Sequence, residues 1–282
     1  MTVSEALQQA AKRLSSNSSS PRLDAEVLLA HLLGTPRASL LANSQQVLTA
    51  KQSTTMKGLI ERRTHGEPVA YLTGHKEFYG FDLFITPDVL VPRPETESVV
   101  DACLEVLVDL DNSQLADIGT GSGAIAIAVT KHNSRVRASA TDIFLPAIEV
   151  ARRNCERHGV ADRVTLYTGH LLQPLKGKFP NKFNVVAANL PYVPPGEASP
   201  DVATWEPNVA VFGGGDDGTA LIREFLREAP AYLLPGGTVV METAHSQGAL
   251  VARLAKRAFP GAEVEVRKDL AGYDRIVVIK TA

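Results

Sequence analysis

The sequence predicts an α/β protein: a doubly wound, mostly parallel sheet preceded by a small helical bundle. Three observations carry this. From residue 94 onward, apolar runs of strand length alternate with segments of helical period. Asp117-Ile118-Gly119-Thr120-Gly121-Ser122-Gly123 closes the first of those runs with three alternating glycines. Residues 1–74 show helical patterning and no strand-like run.

In the N-terminal part, Leu23, Val27, Leu28, Ala30, His31 and Leu32 form an expected apolar stripe that Gly34 ends, with Pro21 at a helix start. Leu48–Arg63 reads as another helix. Between His75 and Pro92 the period shifts toward two. Glu77-Phe78-Tyr79, Gly80 and Phe81–Ile85 predict a hairpin. Pro92 and Pro94 stiffen the approach to a helix starting near Glu95. The expected boundaries are therefore a helical domain over 1–74, a β-hairpin linker over 75–93, and a sheet domain over 94–282.

Within the sheet domain the expected strands are Leu115–Ile118, Val136–Thr141, Val164–Tyr167, Phe183–Ala188, Gly237–Glu242, Val264–Val266 and Arg275–Ile279. The expected helices are Ala124–Lys131, Pro146–His158, Thr219–Leu233 and Gln247–Ala258. Ligands of such sheets bind outside the carboxyl ends of the strands.

Composition narrows the class. The 282 residues are 44% hydrophobic and 21% charged, with a net charge of −2. This is an ordinary soluble balance without a global basic footprint, which disfavours a stable nucleic-acid partner. Cys103 and Cys155 each fall in a helical segment, so a disulfide framework is not expected and a reducing, cytoplasmic location fits. No metal-ligand spacing is present. Met1–Ala11 lacks the pattern of a secretory leader, and no apolar run approaches the ~20 residues of a membrane span. Nor is an apolar stripe left over for a permanent dimer, so a monomer is expected.

Two motifs carry chemistry. In the glycine loop, Gly119, Gly121 and Gly123 let the backbone turn sharply and approach a ligand. Gly119-x-Gly121-x-x-Ala124 also satisfies the looser dinucleotide fingerprint, so the loop alone does not separate a nicotinamide enzyme from a methyltransferase. Asp117 is placed to orient the loop backbone or to meet a cofactor ammonium. Asp142, ending the next strand, reads as a ribose-hydroxyl acceptor or a helix cap.

The second motif, Asn189-Leu190-Pro191-Tyr192, follows the strand Phe183–Ala188. An amide NH2 is a poor nucleophile because its lone pair is delocalised. A site helps by accepting both N–H bonds. The Asn189 side-chain oxygen and the Leu190 carbonyl, stiffened by Pro191, are the candidate acceptors, and Tyr192 can stack on the planar group. The pair of motifs points to methyl transfer from S-adenosyl-L-methionine to an amide or exocyclic amine.

Further segments extend the pattern: Pro21-Arg22-Leu23-Asp24-Ala25-Glu26, Gly66–Gly74, Glu77-Phe78-Tyr79-Gly80, Val91-Pro92-Arg93-Pro94-Glu95-Thr96-Glu97, Gly213–Gly218 and Asp269–Arg275. In this order the chain resembles the peptide chain release factor N5-glutamine methyltransferase family over nearly its full length. The resemblance implies a helical domain that recognises the release factor, followed by a seven-stranded Rossmann-like class I methyltransferase domain whose last strand is antiparallel. It implies methylation of the side-chain nitrogen of glutamine in a Gly-Gly-Gln motif. Asp117, Gly119, Thr120, Gly121, Ser122, Gly123, Asp142, His170, Leu171 and Asn189 are implied as cofactor contacts, and Asn189 to Tyr192 as the glutamine cradle.

There are two departures. Leu190 stands where the family usually has Pro, which makes the motif also similar to that of ribosomal RNA adenine dimethyltransferases. His170 stands where the family often has an acidic residue. Arg93, Glu95 and Glu97 read either as lining a cofactor mouth or as a charged first helical turn, and Trp205-Glu206-Pro207 as part of a lid or an anchor. The alternative function is an adenine-N6 methyltransferase acting on nucleic acid. Against it, residues 191–201 contain no Lys or Arg to hold phosphate. Intact Asn189, Pro191 and Tyr192 argue against a non-catalytic module, and a nicotinamide dehydrogenase leaves the tetrapeptide unexplained.

Overall fold

The computed structural model describes residues 1–178, 182–269 and 271–282. Leu270, part of the C-terminal segment singled out above, lies outside the described residues. The chain divides into two compact units, Met1–His75 and Lys76–Ala282.

The first unit is helical. Helix α1 (Val3–Leu14) starts at Thr2, whose hydroxyl accepts the Glu5 N–H while the Glu5 carboxylate accepts the Thr2 N–H. Its Val3, Ala6, Leu7, Ala10 and Leu14 keep the helical period and are all buried. Helix α2 (Pro21–Leu33) ends on Gly34 in the left-handed region at φ +63°. The expected apolar stripe of α2 is rotated in the structure. Ala25, Leu28, Leu29 and Ala30 are buried, while Leu23 and His31 are exposed. The i, i+3, i+4 set that meets the core runs through Ala25, Leu28 and Leu29. Short α3 (Ser39–Ala42) leads to α4 (Ala50–Thr64), capped by Thr49 and Gln52, and then α5 (Val69–Thr73). Buried Asp24 pairs with Arg63 of α4 at 2.8 Å.

The second unit opens within the first strand of the hairpin of β1 (His75–Phe78) and β2 (Phe81–Phe84). A 3-10 turn (Pro94–Thr96) feeds α6 (Glu97–Leu107). Then follow β3 (Gln114–Ile118), α7 (Ala124–His132), β4 (Arg137–Asp142), α8 (Leu145–Arg157), β5 (Val164–Thr168) and β6 (Phe183–Ala188). Two short helices, α9 (Pro200–Trp205) and α10 (Asn208–Val211), sit in the long loop after β6. The chain finishes with α11 (Ala220–Glu228), β7 (Leu233–Glu242), α12 (Gly248–Ala258), β8 (Glu263–Lys268) and β9 (Asp274–Lys280).

The seven strands are ordered β5-β4-β3-β6-β7-β9-β8. The pairs from β5 through β7 are parallel, and β9 is antiparallel to both its neighbours. The seven-stranded α/β fold with an antiparallel last strand is thus present. The expected helix over 219–233 is shorter. It gives way at Ala229 to a 3-10 turn containing Pro230, whose ring cannot follow an α-helical turn. Strand β7 begins at Leu233 rather than Gly237, and its register against β6 shifts between Phe183 and Val185, which absorbs Pro235-Gly236-Gly237 as an irregularity.

Asn154 of α8, fully buried, joins three pieces. It exchanges two bonds with the Phe84 backbone, at 2.7 and 2.9 Å, and donates to the Ser122 carbonyl at 2.9 Å. Cys103 and Cys155 are free and buried, and burial pushes the Cys155 thiol up to about 12. Among the described residues no helix is long and apolar enough to cross a membrane.

Candidate active site

Strands β3 and β6 are parallel neighbours, and Ile118 pairs with Ala188. The next residues on the two strands are Gly119 and Asn189. The glycine loop and the Asn-Leu-Pro-Tyr loop therefore leave the sheet side by side, where β4 flanks β3 on one side and β6 on the other. That is the switch point at which such sheets bind ligands. A cavity of about 410 Å³ opens there, within the size range of small-molecule sites.

Gly119, Thr120, Gly121, Ser122, Asp142, His170, Leu171, Asn189, Leu190 and Pro191 all line the cavity. Asp117, Gly123 and Tyr192 are not among its lining residues.

The glycine loop is held from within. The Gly119 and Thr120 N–H groups both donate to the Thr141 carbonyl at 2.9 Å, Gly123 N–H to the Thr120 carbonyl, and Gly121 N–H to Asp142 Oδ2 at 2.9 Å. A dinucleotide loop keeps such donors for pyrophosphate; here four of them are already used. Gly119 sits at φ +74°, and a Cβ there would lie 3.2 Å from the Leu190 side chain and 3.4 Å from the Asn189 carbonyl. Glycine is what lets the two loops touch.

Asp117 is fully buried beneath the loop. Its Oδ2 accepts the Thr120 hydroxyl at 2.7 Å and the Ala126 N–H at 3.2 Å, which fixes the turn and the start of α7. Burial pushes its carboxyl up to about 6, against the pull of those bonds. Asp142 accepts the Phe144 N–H on Oδ1 and the Gly121 N–H on Oδ2, both at 2.9 Å. Burial raises its carboxyl as well. A carboxylate has about four acceptor positions, so Asp142 keeps capacity toward the cavity.

Leu171 is a non-glycine residue in the left-handed region, at φ +45°. Such a conformation costs roughly 1–3 kcal/mol and persists only when the surroundings impose it. The Thr141 hydroxyl donates to its carbonyl at 2.9 Å, and its side chain is buried in the core. Beside it, His170 Nε2 lies 3.1 Å from Glu224 Oε1 of α11, and both residues line the cavity.

The side chain of Leu190 is 3% exposed and belongs to the sheet core with Leu171, Phe183 and Ile222. Asn189 Nδ2 donates to the Thr96 hydroxyl at 3.1 Å, and that hydroxyl donates to Glu242 Oε2 at 2.6 Å. The Tyr192 hydroxyl donates to the other oxygen, Glu242 Oε1, at 3.1 Å. Burial, then the Glu242 charge, drives the Tyr192 phenol well above its usual range. Burial raises the Glu242 carboxyl, while the Thr96 and Tyr192 hydroxyls oppose the rise.

Sequence reasoning missed several of these residues. Thr96, between the two glutamates of interest, is the buried member of that trio, and it lines the cavity. Arg93 lines the cavity too, whereas Glu95 and Glu97 are not among its lining residues; Glu97 accepts the Tyr79 N–H at 2.9 Å. In Trp205-Glu206-Pro207 the glutamate is an anchor. Its buried carboxylate pairs with Arg93 and accepts the Val91 N–H at 3.2 Å. The only local signal for Glu206 is a charged residue set between Trp and Pro; nothing local marks Thr96, Glu242 or Gln247.

Residues 5–74 match the family described as PrmC N-terminal domain, and residues 97–205 the methyltransferase small domain. A release factor glutamine methyltransferase of Moorella thermoacetica is 41% identical over 280 residues, covering 98% of this chain and 97% of that protein. One of Coxiella burnetii is 34% identical over 280 residues, covering 99% of each. A Pyrococcus furiosus methyltransferase structure superimposes with a TM-score of 0.54 at 20% identity, over 81% of this chain and 99% of that one, a likeness of fold. Near-full-length identity to such relatives, on a seven-stranded sheet whose two motif loops meet at one cavity, places the chain in the release factor glutamine methyltransferase family.

Proposed function

We propose that this protein transfers a methyl group from S-adenosyl-L-methionine to the side-chain nitrogen of the glutamine in the Gly-Gly-Gln motif of a peptide chain release factor. The observation that carries the reading is the register of Ile118 with Ala188, which brings the glycine loop and Asn189 to one cavity. The residues present fit the cofactor. Four of the loop N–H donors are committed internally, so the loop offers close backbone approach rather than a phosphate cradle. Asp142 retains acceptor capacity for ribose hydroxyls, Gly119 to Ser122 would form the wall, and His170 with Leu171 would flank the adenine. Asp117 acts from beneath, by holding the loop.

When bound, S-adenosylmethionine supplies a methyl group on a positively charged sulfur. Asn189 and the Leu190 carbonyl accept the two N–H bonds of the substrate amide, which fixes the nitrogen and raises its electron density. Leu190 keeps the carbonyl that a proline would offer, and its buried side chain fixes the backbone in place of a ring. Tyr192, outside the cavity lining, supports the cradle from behind through its bond to Glu242. Orientation supplies most of the rate, because an aligned reaction within one complex avoids the entropy cost of a chance encounter. The charge being neutralised is on the sulfur, so no strong acid is required, and the amide proton leaves to water. The helical unit contributes recognition of the release factor, and the protein works as a cytoplasmic monomer beside the translation machinery.

The test is intact mass and peptide mapping of an unmodified release factor after incubation with the protein and S-adenosylmethionine. The expected result is one methyl group on the Gly-Gly-Gln peptide, lost with Asn189→Ala while the cofactor still binds. Methylation of adenine in RNA, with the release factor untouched, would overturn the substrate assignment.

A further inference from the structure

A side-chain amide has a donor end and an acceptor end, and a cradle for an NH2 group works only if the acceptor end faces the substrate. In this site the choice is made by a relay that ends on a buried carboxylate. Glu242, at the end of β7, is 1% exposed. Its two oxygens accept from two hydroxyls, Thr96 at 2.6 Å and Tyr192 at 3.1 Å. The single proton of Thr96 is thereby committed to Glu242, and Thr96 Oγ1 has only lone pairs left for its other neighbour. That neighbour is Asn189, which meets it with Nδ2 at 3.1 Å. The reverse orientation would set Asn189 Oδ1 against Thr96 Oγ1 with no hydrogen between them, a part-buried acceptor pair with no bond.

We propose that Thr96, with its proton held by Glu242, is a positioning residue that locks the Asn189 amide with its carbonyl oxygen toward the substrate, and that this lock makes the site select glutamine over glutamate. The inference rests on the reading of Asn189 as part of the substrate cradle. A glutamine NH2 brings hydrogens to the locked oxygen. A glutamate carboxylate brings only lone pairs and leaves both acceptors unpaired, the kind of mismatch that gives strong discrimination. Thr96 lines the cavity but acts through its bond to Asn189, and Glu242 acts through Thr96 from the end of β7.

The experiment compares the release factor with its variant carrying glutamate at the acceptor position. Turnover is measured on the first, and the dissociation constants of both are measured by calorimetry in the presence of S-adenosylhomocysteine. Wild-type protein is expected to bind the glutamate version weakly. In Thr96→Val the lock is gone and the Asn189 amide rotates. Turnover on the glutamine version is expected to fall by roughly tenfold or more, and the preference for glutamine over glutamate in binding to narrow by a similar factor. Thr96→Ser keeps the hydroxyl and is expected to restore both. A purely structural role would weaken the two ligands alike and leave the preference unchanged, which overturns the proposal.

If Thr96→Val fails to fold or to bind S-adenosylhomocysteine, Thr96→Ala removes the same hydroxyl without a methyl in its place, and the same preference is read. Asn189→Ala separates the two claims. Wild-type turnover in that variant would refute the cradle itself. Loss of turnover there, with turnover and preference both intact in the Thr96 variant, would refute the lock alone.

Discussion

Gln247 Nε2 donates to the main-chain carbonyl of Tyr192 at 2.9 Å and to that of Asp217 at 2.8 Å. One side chain, 7% exposed at the start of α12, thus ties the loop after β6 to the Gly213–Gly218 turn. Gln247→Leu leaves two backbone carbonyls without this partner. The expected cost is about 1–3 kcal/mol of unfolding free energy. Turnover should fall further than cofactor affinity, because the clip holds the cradle and not the glycine loop. Urea unfolding and a comparison of kcat with the cofactor Kd check this; wild-type turnover at reduced stability would make the clip purely structural.

Two neighbouring glycines should respond very differently to alanine. A Cβ on Gly213 would lie 1.9 Å from the Gly218 carbonyl oxygen and 2.5 Å from that of Pro191. Backbone cannot yield as a side-chain tip can, so Gly213→Ala is expected to cost about 3 kcal/mol or more, or to prevent folding. Gly214 has a φ of +72°, but a Cβ there would meet nothing closer than 3.5 Å. Gly214→Ala should therefore cost only about 1 kcal/mol, the strain of the left-handed region. Thermal unfolding of the pair would show the gap, and equal losses would contradict this account of the Gly213 contact.

Glu206 holds the long loop to the connector before α6 through Arg93 and the Val91 N–H. Glu206→Ala leaves a buried N–H unpaired, a loss of about 1–3 kcal/mol. Its clearest expected effect is local: faster proteolysis within residues 194–212, while the sheet keeps its protection. Uniform acceleration across the chain would show that the contact is a general prop rather than a tether.

Asp117 gives a pH dependence of unusual sign for an acid. Its carboxyl is pushed up to about 6 in the folded protein, from an ordinary 3.8. Between roughly pH 4 and pH 6 the folded state holds this proton while the unfolded chain has released it, so stability from this group is present below that window and is lost as pH rises through it. Relative to Asp117→Asn, the wild-type protein is expected to lose on the order of 2–3 kcal/mol across the window and to stay level above it. Urea midpoints measured from pH 4 to pH 8 for both proteins check the difference, which would be flat if Asp117 did not titrate there.

The alternation of strands and helices, the glycine loop after β3 and the Asn-Leu-Pro-Tyr turn after β6 were legible in the chain, because each is written in neighbouring residues and a short period. The α2 face and the start of β7 were less so. Face and register are settled by what packs opposite, as the Pro235-Gly236-Gly237 irregularity against Phe183 and Val185 shows. The polar framework was not legible at all. Thr96 meets Asn189 across 93 residues and Glu242 across 146, and Val91 meets Glu206 across 115. A hydroxyl or carboxylate carries no local mark of its partner. Only the pairing of strands that brings β6 beside β3 and β7 decides which buried donor meets which acceptor, since each must find one once water is excluded.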